Sequence, residues 1–179
     1  LVLQAAIDAK VDYFDICDDW EPTISMLEMG PKAEAAGITA VLGMGSSPGA
    51  SNLLAKTAMG RLDRVDKVYT LWQAGEPDMD FVDAHTDHRN PRRASAALVH
   101  GVMQMTGTIR AFQGGKVADV VPTTPVEIEV PELGRVRGTI FGHPEPITIP
   151  RFGRVTQVAL CLCMVTRNWE VLIDNHIRP

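Results

Sequence analysis

The chain has 179 residues, 45% of them hydrophobic and 22% charged, with a formal net charge of −5. That composition belongs to a folded globular protein, and its negative charge excludes nonspecific nucleic-acid binding, which needs cations against phosphates. No apolar run reaches the ~18 residues that span a bilayer, and three cysteines without metal-type spacing fit a reducing, cytoplasmic compartment.

Leu1, Val2, Ala5, Ala6 and Ala9 form an apolar helical pattern that closes on Lys10. Neither a basic n-region nor a small-residue cleavage site marks a signal peptide. The expectation is a piece of a longer protein, begun inside a helix. Val11 to Cys17 is β-prone and apolar enough for a buried parallel strand. Asp18 to Thr23 is an acidic turn suited to capping a helix from Thr23 to Ala36, which Gly37 ends. Ile38 to Leu42 is the next strand. Helix, strand, helix, strand at this spacing predicts half of a doubly wound α/β sheet over residues 1–45.

Beyond residue 46 the pattern changes. A helix runs to about Leu62, and a half-buried strand follows from Asp66 to Trp72. Residues 73–90 read as loop, and Arg93 to Met105 as a helix with Ala97, Val99 and Val102 on its apolar face. Thr108–Phe112 and Val117–Val121 are strands joined by a Gly114-Gly115 hairpin turn. Val126–Val130, Val136–Phe141 and Val155–Met164 are further strands, with a proline-rich segment from Gly142 to Pro150 in which Pro144-Glu145-Pro146 reads as a rigid extended turn. Residues 46–179 are therefore expected to form a separate α+β domain with a mixed or antiparallel sheet.

The stretch from Val41 to Asn52 joins the two parts. A strand feeds Gly43-Met44-Gly45-Ser46-Ser47-Pro48-Gly49, and a helix follows. Strand, glycine turn and helix start aim backbone N–H groups at one point, which favours an anion or a polar ligand edge. A dinucleotide fingerprint is excluded: Gly43-x-Gly45-x-x is followed by Pro48, and no acidic residue ends a strand ~20 positions on. A plain connection is the competing reading. Asp15, Cys17, Asp18 and Asp19 lie at or beyond the carboxyl end of the preceding strand, where ligands of open α/β sheets bind. Asp18 and Asp19 could equally be helix caps, whereas Asp15, a carboxylate within a β-run, needs a partner or a ligand.

Elsewhere the residue types are less specific. His85 and His88 lie on either side of Asp87 in a polar loop, without the third ligand that a metal site needs. His100 on its helix is a core histidine or a carboxylate binder, and His143 before Pro144-Glu145-Pro146 reads as structure. Cys161 and Cys163 share one face of a strand and read as small buried hydrophobes. Arg92 and Arg93 are a basic spot that could hold a substrate carboxylate bidentately, or a surface ion pair.

Taken together, several segments resemble the saccharopine dehydrogenase family in its broad sense, including uncharacterised bacterial members. They are Val11-Asp12-Tyr13-Phe14-Asp15, Ala35-Ala36-Gly37-Ile38, Gly43 through Ala55, Gly114-Gly115-Lys116 and His143 through Pro150. The resemblance covers roughly residues 5–150. It implies an oxidoreductase using NAD or NADP on the C–N bond of an amino-acid-derived secondary amine or imine, working as a homodimer. By it, residues 1–45 are the C-terminal part of a doubly wound, Rossmann-type domain and residues 46–179 an α+β substrate-binding and oligomerisation domain with a mixed sheet, so the phosphate-binding glycine loop lies upstream and the fragment alone is inactive. The nicotinamide end of the cofactor is expected against Asp15, Cys17, Gly43, Gly45, Ser47, Pro48 and Gly49. The amino-acid-like substrate is expected against Trp72, Gly75, Arg92, Ser95 and His100. No acid–base residue is assigned. The alternatives are a non-catalytic dimerisation or ligand-binding module and another Rossmann-type dehydrogenase.

Overall fold

The computed structural model describes residues 2–73, 100–101 and 103–164. Helix α1 (Val2–Ala9) leads into strand β1 (Tyr13–Phe14), and helices α2 (Trp20–Glu28) and α3 (Gly30–Ala36) carry the chain to β2 (Ala40–Val41). β1 and β2 pair in parallel, Tyr13 opposite Ala40 and Phe14 opposite Val41. Leu3, Ile7 and Ala33 are buried beneath this pair, against Tyr13, Ile38, Ala40 and Leu42. Gly37 ends α3 in the left-handed conformation with φ 73°, as its position in the sequence predicts. The single helix expected from Thr23 to Ala36 is two, because Gly30 and Pro31 interrupt it. Pro31 lacks the N–H that a helix interior requires but is tolerated in the first turn of α3.

A tight irregular turn over Ser46–Ala50 opens α4 (Ser51–Met59), which β3 (Val65–Gln73) follows. Then come β4 (Ile109–Gln113), β5 (Lys116–Val120), β6 (Pro125–Val130), β7 (Gly134–Ile140), helix α5 (Glu145–Phe152) and β8 (Val155–Met164). The second sheet has six strands in the order β5-β4-β8-β7-β6, with β3 also on β8. The pairs β4–β8, β7–β8 and β6–β7 are antiparallel. Gly114 and Gly115 turn β4 into β5 with φ of 60° and 78°, values at which glycine carries no Cβ penalty.

This architecture corrects the expected doubly wound, Rossmann-type sheet. The parallel part is one pair of two-residue strands, and the larger sheet is antiparallel in its assigned pairs. Parallel neighbours need a crossover of a dozen or more residues, and α2 and α3 supply one between β1 and β2. Among the later strands, β4 and β5, and β6 and β7, are joined by tight turns, which enforce antiparallel pairing. A second correction concerns residues 142–150: the proline-rich segment is largely helical. Pro144 is the N-cap of α5 and Pro146 lies in its first turn, where a missing N–H breaks no helical bond.

The chain divides into two compact units. The first holds residues 1–68, 110–118 and 143–159, the second residues 69–109, 119–142 and 160–179. In the first, Val65, Phe112, Ile149, Val155 and Ala159 form a core on which Ala55, Met59 and Val68 pack. In the second, Ile109, Ile140, Phe141, Leu160, Cys161, Leu162 and Cys163 are buried.

Candidate functional site

The site is built at the carboxyl ends of β1 and β2 in the first unit. Asp15 pins them together: its Oδ1 accepts the backbone N–H of Gly43 at 2.7 Å and of Cys17 at 3.0 Å. The Asp15 backbone adds two bonds, its N–H to Val41 O at 3.2 Å and its carbonyl from Met44 N–H at 2.7 Å. The carboxylate that the sequence marks as needing a partner therefore finds it in the opposite strand end. Asp15 Oδ2 is buried and has no well-formed hydrogen bond among the described residues. Burial first, and then the Asp15 carboxylate, push the Tyr13 hydroxyl up to about 12.

Asp19 is the N-cap of α2, but its side chain makes no capping bond; its carbonyl accepts from the Thr23 hydroxyl at 2.7 Å. Burial raises the Cys17 thiol, and the carboxylates of Asp15 and Asp19 add to that shift. The backbone hydrogen bond to Asp19 and the Thr23 hydroxyl oppose that shift without cancelling it, so the thiol form is favoured over the thiolate.

The glycine turn is tight because it packs on itself. A Cβ on Gly49 would meet Met44 C at 2.7 Å and Gly43 O at 3.0 Å. A Cβ on Gly43 (φ 64°) would meet Pro48 Cγ at 2.6 Å and Cys17 O at 3.2 Å. The absent side chains admit neighbouring protein backbone and the Pro48 ring. Gly45 differs, with no atom nearer than 3.8 Å to its Cβ position.

The helix start behind this turn already holds an anion, and it is the protein's own. Glu145, fully buried, accepts a short hydrogen bond from Ser47 Oγ and a 2.6 Å bond from Ser51 Oγ on the same oxygen, Oε1. Its other oxygen takes a short bond from His143 Nδ1. Burial raises the Glu145 pKa, but the His143 hydrogen bond and charge and the two serine hydroxyls outweigh it and hold the carboxyl below its ordinary range. Thr148 Oγ1 donates to Asn52 Oδ1 at 3.0 Å, a second tie between α5 and α4.

Ser, His and Glu together suggest a nucleophilic triad, and the geometry rejects it. Ser47 Oγ is 3.4 Å from His143 Nδ1, the nitrogen that also faces Glu145. The serine proton goes to the carboxylate, so the imidazole does not activate Ser47. An ionised carboxylate only accepts, so Nδ1 carries the hydrogen of this bond. The Asp18 carboxylate and a ring nitrogen of His143 lie within 4.8 Å of each other. His143, read from sequence as structural, thus belongs to the same strand-end region as Asp15 and Asp18.

No protein-family model and no curated protein sequence matches this chain.

The residues expected to contact cofactor are brought together, but they do not fit the phosphates of NAD or NADP. The space a phosphate cradle would leave open is filled by Met44, Pro48 and Cys17 backbone or ring atoms. The hydroxyls at the helix start are bonded to a carboxylate, which repels a second anion. Asp18, His143 and Glu145 are metal-ligand types, yet both Glu145 oxygens already accept hydrogen bonds.

Of the residues expected to contact substrate, Trp72 and His100 belong to the second unit. Trp72 Nε1–H donates to Cys161 Sγ at 3.1 Å, and its ring meets Phe141 edge-on at 5.1 Å between centroids, both sheet-packing contacts. His100 bonds Gln104. Gly75, Arg92 and Ser95, like His85 and His88, lie outside the described residues. The missed residues are Ser51, His143 and Glu145. The available signal was Ser47 and Ser51 at a spacing of four, with His143-x-Glu145 far downstream.

Proposed function

We propose that this chain recognises the amine of an amino-acid-derived substrate, as part of an NAD(P)-linked oxidoreductase of the saccharopine dehydrogenase kind acting on a C–N bond. The observation that carries the reading is the Asp18 carboxylate within 4.8 Å of a His143 ring nitrogen, beside the pinned ends of β1 and β2. Asp15, Asp18, Asp19 and Glu145 concentrate negative charge there, which suits a protonated amine and disfavours a phosphate. Asp18 would pair with the ammonium form. His143, oriented through Nδ1 by Glu145, would exchange the amine proton through Nε2. The glycine turn is not the phosphate site in this reading.

We place the protein in the cytoplasm, where three cysteines that form no disulfide suit the reducing conditions. Among the described residues no helix is long and apolar enough to cross a membrane. We also infer a homodimer: Phe14 and Ile16 are 77% and 71% exposed, and Val41, opposite Phe14 in the register, is exposed too. Parallel strands are normally covered on both faces, and bare apolar patches mark interfaces. Light scattering should show a dimer that Phe14→Ser weakens; a clean monomer at high concentration refutes this part.

Calorimetric titration tests the amine reading. Saccharopine, a secondary amine, should bind the chain, and glutarate, which lacks the amine, should bind at least about tenfold more weakly. Asp18→Asn should remove that difference. Equal binding of the two ligands, or an Asp18→Asn variant with unchanged preference, overturns the assignment.

A further inference from the structure

A cavity of about 590 Å³ lies in the first unit and shares no residue with the strand-end site. Its walls form where α4 ends and β3 begins, and where α5 ends and β8 begins. Met59, Leu62, Val65 and Phe152 give it an apolar lining. Leu62 is 60% exposed and Phe152 37%, so this lining is only partly covered by the protein itself. Its volume falls in the range of small-molecule sites, roughly 300–1,000 Å³.

The rim reverses the sign of the molecule. Lys56, Arg64 and Arg154 border the cavity against one carboxylate, Asp63, in a chain of net charge −5. Arg64 is engaged by Asp66 at 2.8 Å. Lys56 and Arg154 form no ion pair among the described residues. A cation in the last turn of α4 complements the helix dipole, which accounts for Lys56 alone. It accounts neither for Arg154, beyond the end of α5, nor for the exposed leucine and phenylalanine between the cations.

We propose that this cavity binds a small organic carboxylate with an apolar body. The tail or ring covers Leu62 and Phe152, and the carboxylate is held by the Arg154 guanidinium, with Lys56 beside it. Guanidinium matches a carboxylate bidentately, and covering the exposed lining adds about 25 cal/mol per Å² of apolar area removed from water.

Calorimetry with sodium octanoate, 1-octanol and sodium acetate tests it. Octanoate should bind with one site per chain, at least about tenfold tighter than octanol, which lacks the charge, or acetate, which lacks the body. The double variant Lys56→Gln/Arg154→Gln should lose octanoate binding about tenfold or more and leave octanol unchanged. Both positions are exposed, so the variant's thermal melt should match that of the parent. Octanol binding as tightly as octanoate means an apolar patch only, and acetate matching octanoate means an adventitious ion only. Either result, or a double variant that keeps octanoate, overturns the proposal.

Discussion

Replacing Glu145 by Gln tests whether the buried carboxylate holds the turn to α5. Glu145 accepts three hydrogen bonds, from Ser47, Ser51 and His143, and is fully buried. A hydrogen bond to a charged group contributes about 1.5–3 kcal/mol, but bonds that share one acceptor do not add. Breaking a buried ionic pair by removing one partner costs about 3–5 kcal/mol, and the glutamine amide places an NH2 donor where one of the two oxygens accepted. The expected loss for Glu145→Gln is therefore about 3–5 kcal/mol at neutral pH, or roughly 6–20 °C in Tm for a chain of this size. The pH dependence has a definite sign. The folded carboxyl titrates below its ordinary value of 4.5, so between the two values the unfolded chain binds more protons. This contribution is complete above the ordinary value and is lost as pH falls through the folded one. Urea unfolding at several pH values measures it: the midpoint should drop with unchanged slope at neutral pH, and part of the acid-side decline should vanish in the variant. A loss below about 1 kcal/mol would refute the reasoning, since that is the range of an exposed pair.

Gly49→Ala should cost about 1–3 kcal/mol, because its methyl meets the Met44 backbone, whereas Gly45→Ala should stay within about 0.5 kcal/mol; equal losses in chemical denaturation would contradict the packing of the turn. Titrating NADH by its fluorescence should give no micromolar binding, because the helix start is occupied by Glu145; a micromolar Kd would refute that argument.

Much of the fold is legible wherever local chemistry decides it. β8 spans Val155–Met164 as its apolar run predicts, and the Gly114-Gly115 hairpin and the Gly37 helix end follow from backbone freedom that only glycine has. The doubly wound expectation went wrong because a helix–strand alternation over 45 residues says nothing about how many strands share a sheet. Pro144-Glu145-Pro146 went wrong because its two prolines read as extended, although both sit where a helix tolerates proline. In the site, Asp15 stands out in the sequence because a lone carboxylate in a β-run demands a partner. Gly49 stands out too, but for the wrong reason: backbone, not ligand, fills its space. Glu145 stays hidden, since nothing local links it to two serines more than ninety residues upstream.

That separation also orders events during synthesis. The first unit is assembled from three stretches, the last of them residues 143–159. Ser51 emerges from the ribosome 94 residues ahead of the carboxylate it will bond, a wait of roughly 5–20 s at ordinary elongation rates. Closing a loop of that length costs about 4 kcal/mol of chain entropy. Until Glu145 arrives, α4 has no carboxylate on its opening serines, and Val65 lacks Ile149 and Val155 to pack against. A nascent chain stalled before residue 143 would thus expose the apolar side of α4 to whatever binds unfolded chains. The same stretch that completes the unit is the one that ends this vulnerability.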